Sequence, residues 1–207
     1  FGANAKANSI NSFAFGNGSS ANNEGAIALG TGSSVNADFG VAIGRNSIAN
    51  GVYAVALGQG VIASGEGSFA GGFFNPDSGL SSYAKGKASF SFGSNGTTAT
   101  GDYSFAFGTN SQSNGTYSLA FGDRATANKN NSLAIGKGTI APVESAVVLG
   151  RWNKYFADYP SLVSGTPLFQ VGQGSDNGTR ANIITGYYGM NSDGGFNNGW
   201  VVIGANP

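Results

Sequence analysis

The chain has 207 residues, of which 36 are Gly and only 10% are charged, and its ten basic residues balance its ten acidic ones. This balance leaves no basic surface for neutralising phosphates, so nucleic acid is excluded as the expected partner. Because Cys and His are absent, thiol nucleophiles, disulfides and the usual zinc ligands are excluded as well, and we expect no metal, no cofactor and no enzymatic activity.

A glycine recurs every fourteen residues along the first two thirds of the chain, which indicates a repeat protein. These glycines are Gly2, Gly16, Gly30, Gly44, Gly58, Gly72 and Gly86, and then Gly108, Gly122, Gly136 and Gly150. Between Gly86 and Gly108 the step is broken by a half-unit of seven residues and a unit of fifteen.

Each unit contains two stretches in which small residues alternate with other residues. Ser111 and Ser113 lie at the third and fifth positions after Gly108, and Ser118 and Ala120 lie at the tenth and twelfth. Alternation with a period of two predicts short strands, so each unit is one coil of a parallel β-solenoid. The turns are expected at the repeat glycine and near the seventh position, where other glycines recur: Gly51, Gly65, Gly79, Gly101 and Gly115.

Large apolar residues alternate with the second pair of small residues in each unit, whereas mostly polar residues alternate with the first pair. If the small residues fill the interior, one outer wall is polar and the other is a continuous apolar ladder. We predict that this ladder is an oligomer interface, because so many exposed apolar side chains are unfavourable in water. The reverse assignment, with large residues inside a monomeric rod, is the alternative. The predicted interface residues are Phe13, Phe15, Ile27, Leu29, Val41, Ile43, Val55, Leu57, Phe105, Phe107, Leu119, Phe121, Leu133, Ile135, Val147 and Leu149.

The repeat units NSFAFG, GAIALG, YAVALG, YSFAFG, YSLAFG and NSLAIG, each followed by a small-x-small stretch, resemble the head repeat of YadA-like trimeric autotransporter adhesins. The resemblance covers residues 1 to about 150. It implies a left-handed parallel β-roll and a homotrimer joined through the apolar wall. It also implies an extracellular location at the cell surface, with the anchor in a part of the protein outside this segment.

The repeat is irregular at about residues 71–101, where Gly71 and Lys85 stand at expected ladder positions. We expect an excursion from the roll in this stretch. It is either a tolerated surface insertion or a protruding contact loop built around Phe73, Phe74 and Pro76.

From residue 151 to residue 207 the period disappears and aromatic residues become more frequent. This second region is predicted to be a β-rich module, either a cap and neck for the last coil or a tip that binds a receptor or glycan. The stretch PLFQVGQGSDNGTRANII resembles segments that follow such repeats in phage tail-fibre-like and other host-surface-binding proteins. In the second interpretation the residues that stack on sugar rings are Trp152, Tyr155, Tyr159, Tyr187, Tyr188 and Trp200.

The leading functional hypothesis is a trimeric adhesin head or stalk segment that attaches to a surface receptor, a matrix protein, a glycan or an abiotic surface. The alternative is a phage or phage-derived tail fibre whose C-terminal module binds the host. No run of 18 apolar residues is present, so we expect no direct membrane insertion of this segment. Asp176 and Asp193 lie in turn-like sequences, where Asp is expected to bond to nearby backbone rather than to act in catalysis or bind Ca²⁺.

Overall fold

The computed structural model of the chain describes residues 1–74, 79–153, 165–190 and 196–203. Every regular element in these residues is a β-strand, and the strands form two sheets. In the coils, each strand pairs in parallel with its counterparts in the neighbouring coils. The prediction of an all-β parallel solenoid is therefore confirmed.

The first sheet takes one strand of two residues from each of ten coils. Its strands are β1 (Lys6–Ala7), β3 (Ser20–Ala21), β5 (Ser34–Val35), β7 (Ile48–Ala49), β9 (Ile62–Ala63), β11 (Tyr83–Ala84), β13 (Thr98–Ala99), β15 (Gln112–Ser113), β17 (Thr126–Ala127) and β19 (Ile140–Ala141).

The second sheet has thirteen strands, of which the first ten come from the coils. These ten are β2 (Phe13–Phe15), β4 (Ile27–Leu29), β6 (Val41–Ile43), β8 (Val55–Gln59), β10 (Phe69–Phe73), β12 (Phe90–Ser94), β14 (Phe105–Thr109), β16 (Leu119–Asp123), β18 (Leu133–Lys137) and β20 (Val147–Arg151). The last three are longer: β21 (Gly165–Gln173), β22 (Asn182–Met190) and β23 (Phe196–Ile203).

The interior of the solenoid is a thin layer of small side chains from both sheets. Ala106, Ala120 and Ala134 of the second sheet are fully buried, and so are Ala99 and Ser113 of the first sheet. Side chains alternate between the two faces of a strand, so the large residues between these positions point away from the interior. The prediction that the small residues lie inside is confirmed, and the alternative of a monomer with a large-residue core is wrong.

Serine suits the interior because its hydroxyl can donate to the carbonyl of the adjacent turn. The Ser19 Oγ donates to the Gly16 carbonyl at 2.9 Å, and the Ser33 Oγ donates to the Gly30 carbonyl at 2.9 Å. Each of these carbonyls also accepts from the backbone N–H of the same serine, so the hydroxyl finds its own partner in the interior by adding a second bond to the turn. A larger side chain would hold the two sheets apart, which explains why Ser and Ala alternate here.

The irregular stretch corrects the register predicted from the glycines. Gly72 pairs with Gly93 across the second sheet, so Gly93 rather than Gly86 is the next repeat glycine. Gly86 lies at the other turn of its coil, where its carbonyl faces Gly65, and Lys85 follows β11 of the first sheet instead of joining the apolar ladder. The seven additional residues therefore lie between β10 and β11, and one more residue lies between β12 and β13.

The strands that follow the last coil continue the second sheet. β21 pairs in parallel with β20, and β22 and β23 then add in antiparallel order. At the end of the first sheet the side chain of Asn153 takes the place of a further strand. Its Oδ1 accepts from the Ile140 N–H at 2.7 Å, and its Nδ2 donates to the Ile140 carbonyl at 3.0 Å and to Gln170 Oε1 at 2.7 Å.

Candidate functional site

The first and third residues of each coil strand in the second sheet point outward and form an apolar surface, and charged residues such as Asp123 and Lys137 lie beyond it at the ends of longer strands. We call this surface the apolar face. It contains all sixteen predicted interface residues, together with Phe69, Phe90 and Phe92, and no charged residue occupies any of its positions from Phe13 to Leu149. The exposed fraction is 53% for Phe13 and 46% for Phe121, and most of the other side chains are half-buried by their neighbours.

Phe90 and Phe92 were missed because the assumed register ran through Gly86, whereas Phe69 fits the assumed register and was left out because Gly71 interrupts the ladder beside it. The signal was present in the sequence, since Ser89–Gly93 repeats the alternation of small and large residues before a glycine. Gly71 does stand at a ladder position, as predicted, because it pairs with Leu57 and Phe92. A Cβ at Gly71 would meet the Phe92 ring, so the ring already fills the space that a side chain would take.

Aromatic rings on the apolar face stack from one coil to the next. The ring centroids of Phe69 and Phe90 are 4.9 Å apart, and those of Phe90 and Phe105 are 4.5 Å apart. A second stack runs through Phe107, whose centroid is 5.1 Å from that of Phe121. These spacings match the distance between paired strands, about 4.8 Å, so the in-register backbone imposes the stacking. The result is a flat, rigid surface whose conformational entropy is already lost before any association.

The outward side of the first sheet, which we call the polar face, is mostly polar, although Ile48, Ile62 and Ile140 also lie on it. Asparagine amides form a ladder on it, in which the Asn8 Nδ2 donates to Asn22 Oδ1 at 2.8 Å. Asn22 donates to Asn36 at 3.0 Å, and Asn36 donates to Asn50 at 2.8 Å. The polar character of this side was predicted, but the continuous chain of amide hydrogen bonds was not. The two walls therefore differ sharply in their affinity for water.

A row of aromatic residues lies at the turn just before the strands of the apolar face. Phe39, Tyr53, Tyr103 and Tyr117 have φ angles of 55–57°, in the left-handed region. Their rings stack in two pairs, at 5.4 Å for Phe39 with Tyr53 and 5.0 Å for Tyr103 with Tyr117. This conformation costs a residue with a Cβ about 1–2 kcal/mol, yet these rings remain 45–62% exposed. Within the protomer, stacking returns only about 0.5–1.5 kcal/mol a pair.

The residues proposed for ligand contact are found in different environments. Phe73 is 54% exposed at the end of β10, and Phe74 is half-buried, with its N–H donating to the Gln59 carbonyl at 2.6 Å. Tyr155, Tyr159 and Pro76 lie outside the described residues. Tyr187 and Tyr188 lie on β22 and Trp200 lies on β23, but their side chains are outside the structural description.

Trp152 does not offer an open ring face, contrary to the sugar-stacking role suggested for it. The residue is 5% exposed. The guanidinium carbons of Arg124 and Arg180 lie over its ring at 5.9 and 5.1 Å from the centroid, and the ring also fills the space beside Gly138. The ring therefore contributes to internal structure through apolar and cation–π contacts.

Asp176 has the local backbone role that was predicted for it. The hydroxyl of Thr179 donates to its Oδ1 at 3.0 Å, and the backbone N–H groups of Thr179 and Gly178 donate at 2.9 and 2.8 Å. These bonds, that of the hydroxyl first, lower the pKa of Asp176 below its ordinary value because they stabilise the carboxylate. In the described ranges no three His, Cys, Asp or Glu residues come close enough to hold a metal ion. That part of the chain also contains no helix that could cross a membrane.

Comparison with protein families identifies the repeat. A family model described as the YadA head domain repeat, in two copies, matches residues 1–19, 21–47, 49–75, 84–111 and 113–139. The gap between the third and fourth matches coincides with the additional residues between β10 and β11. No curated protein sequence matches the chain. Because the family model covers more than half of the chain, the protein belongs to the family of YadA head domain repeats.

Proposed function

We propose that the chain is a non-enzymatic, extracellular adhesin segment that works as a homotrimer joined through the apolar face. The observation that carries this proposal is the charge-free apolar face with its nineteen large side chains. A large side chain contributes about 1.5–3 kcal/mol when it is fully removed from water, so burying the remaining half of each contributes about 1 kcal/mol. An exposed patch of this length is typical of a protein–protein interface.

Family membership favours three copies, because YadA-like heads associate in threes as left-handed rolls. Cyclic symmetry would close the assembly, so that each apolar face turns towards the common axis and each polar face turns to solvent. The aromatic row at the turn borders the apolar face, and a neighbouring copy would cover its exposed rings. A rod of three protomers then presents every surface contact three times, which raises avidity for a repetitive target such as a matrix, a cell surface or an abiotic surface.

We also propose that the strands after the last coil serve as its cap. The hydrogen bonds between Asn153 and Ile140 support this role, because they satisfy backbone groups at the end of the first sheet. A solenoid needs a cap because each coil forms backbone hydrogen bonds with the next coil, and the last coil has no next coil to bond with.

Light scattering on two double variants tests the interface. Leu119→Asp with Phe121→Asp places two charges on the apolar face, and we expect it to abolish the trimer. Gln112→Asp with Asn114→Asp places the same charges on the polar face of the same coil, and we expect it to leave a trimer of 20.7 kDa protomers. A wild-type chain that stays monomeric at micromolar concentration, or a trimer that tolerates the first pair, would contradict the proposal.

Attachment itself is tested with the same proteins coated on beads. Beads that carry the wild-type trimer should bind to cells, matrix or plastic, and beads without protein should not. If the trimer forms but the beads bind to none of these surfaces, the adhesive role is wrong while the assembly stands.

A further inference from the structure

A cavity lies on the polar face where the additional residues meet the first sheet. Its volume is about 380 Å³, within the range of about 300–1,000 Å³ that small-molecule sites occupy. Its lining includes Leu80, Tyr83, Lys85, Thr98, Asn110 and Gln112.

Both departures from the fourteen-residue repeat contribute to this cavity. The seven residues added before β11 bring Leu80 to its wall, and the residue added before β13 forms the turn that contains Gly96. Gly96 has a φ of 85°, and a Cβ there would lie 3.2 Å from the Leu80 Cδ1, so the two irregular segments contact each other. The other coils are uniform, and the chain therefore departs from its repeat at the place where it forms a concave surface.

The floor of the cavity is a flat row of side chains from three neighbouring strands. Tyr83 pairs with Thr98, and Thr98 pairs with Gln112, so these side chains stand side by side at the strand spacing. The Thr98 hydroxyl donates to the Gly96 carbonyl at 2.8 Å, which leaves its oxygen free to accept. Within the described part of the chain, the amides of Asn110 and Gln112 form no side-chain hydrogen bond, so they can bind a ligand.

Lys85 is the charged residue of the lining. Its Nζ lies 5.0 Å from the centroid of the Tyr83 ring, which fixes the ammonium group beside an aromatic surface. The ion pairs found among the described residues join Glu66 with Lys87, and Asp123 with Arg124 and Lys137, and none of them includes Lys85. The cavity thus combines an aromatic ring, an apolar side chain, neutral hydrogen-bonding groups and a cation that forms no ion pair with the acidic residues the structure describes.

We propose that this cavity binds a sugar residue that carries a carboxylate. The rings of sugars have apolar C–H faces that suit Tyr83 and Leu80, their hydroxyls suit Thr98 and the two amides, and the carboxylate pairs with Lys85. This inference rests on the proposed function, because an extracellular adhesin meets such sugars on its target. The cavity lies on the polar face, so it stays open to solvent when the apolar face is buried in a trimer.

A titration with a pair of glycosides tests the proposal on the intact trimer. Methyl β-D-glucuronide and methyl β-D-glucoside differ only in the carboxylate, and saturation-transfer NMR measures the affinity of each. We expect the glucuronide to bind about fivefold more tightly, which is what an exposed ion pair contributes. Lys85→Gln should remove this preference, and the matched variant Lys6→Gln, which changes a lysine on β1 of the same face, should retain it.

The possible results test the sugar-binding cavity and the trimer independently of each other. The proposal is overturned if neither glycoside binds, if both bind equally to the wild type, or if Lys85→Gln and Lys6→Gln behave alike. Light scattering on each sample reports assembly independently, so a trimer that ignores both sugars counts against the cavity alone. Binding by a monomer that loses its preference with Lys85→Gln supports the cavity and contradicts the trimer. A methyl sialoside in parallel then distinguishes terminal sialic acids from polymers of uronic acid as the source of the carboxylate.

Discussion

Individual residues at the turns carry a conformational cost that recurs in every coil. Both turns of a coil place a residue in the left-handed region of φ. The residue type at this position varies from coil to coil: it is Asn11 and Gly25 in early coils and Ala88 in a later one. Glycine adopts this conformation without a Cβ penalty, and Asn tolerates it better than other residues with a side chain. Ala88 has the backbone strain of this conformation but lacks the ring stacking that stabilises Tyr103 and Tyr117.

Ala88→Gly should therefore stabilise the protein. Ala88 is exposed and has a φ of 48°, so the change relieves backbone strain and removes little contact. We expect the free energy of unfolding to rise by about 0.5–1 kcal/mol, measured by thermal or denaturant unfolding. Ala106→Gly is the matched control, because Ala106 is fully buried in a strand and its loss should lower the same quantity. Destabilisation by Ala88→Gly would show that the methyl group makes a contact that outweighs the strain.

At the scale of one element, each coil balances the side-chain volumes of its two strands. Most coils place Ala or Ser on both inward sides, as Ala21 and Ala26 do. The coil with Val35 in the first sheet has Gly40 opposite, and a Cβ at Gly40 would lie 2.7 Å from the Val35 Cγ1. The Val35 side chain therefore fits because Gly40, on the opposite strand, has no side chain.

A double-mutant cycle on this coil tests the balance. Gly40→Ala should cost about 1–3 kcal/mol through overpacking, and Val35→Ala should cost a similar amount through a cavity. The double variant restores the Ala–Ala arrangement of the other coils, so we expect its loss in free energy of unfolding to be smaller than the sum by at least about 0.5 kcal/mol. Strictly additive losses would contradict direct contact between the two positions.

The strands could be predicted from the sequence, and so could the direction of their side chains. Successive side chains of a strand point to opposite sides, so alternation of small and large residues shows which ones face the interior. The register across the insertion was not predictable from glycine spacing alone, since Gly86 keeps the fourteen-residue step from Gly72 and Gly93 does not, although the alternation before Gly93 indicated the correct glycine. Strand pairing shows that Gly93 follows Gly72. The cavity around Lys85 was missed for the same reason, as its residues come from segments whose mutual position depends on that register.

For the whole molecule, stability should be a sum over coils and their contacts with the next coil. Deletion of residues 109–122 removes one complete coil and joins Gly108 to Asp123, which keeps every later residue on its own wall. We expect a folded rod that is shorter by about 5 Å, as measured by small-angle scattering, with a circular-dichroism spectrum of the same shape.

Deletion of residues 109–115 is the control for that experiment. It removes half a coil and the strand β15, so the following segment cannot keep its place in both sheets. We expect this variant to unfold or aggregate. Equal tolerance of the two deletions would contradict the solenoid register.

The strands of this protein run across the rod and its hydrogen bonds run along it, with the bonds of about ten coils in series. Tension on the two ends therefore acts on one boundary between coils at a time instead of shearing all of them together. Each coil that peels away gives up about 5 Å of rod but releases fourteen residues, or about 45 Å of extended chain. In the proposed adhesive role, a particle attached to the rod and pulled by flow would be slowed as coils unfold and the chain lengthens, which limits the force on the attachment at either end.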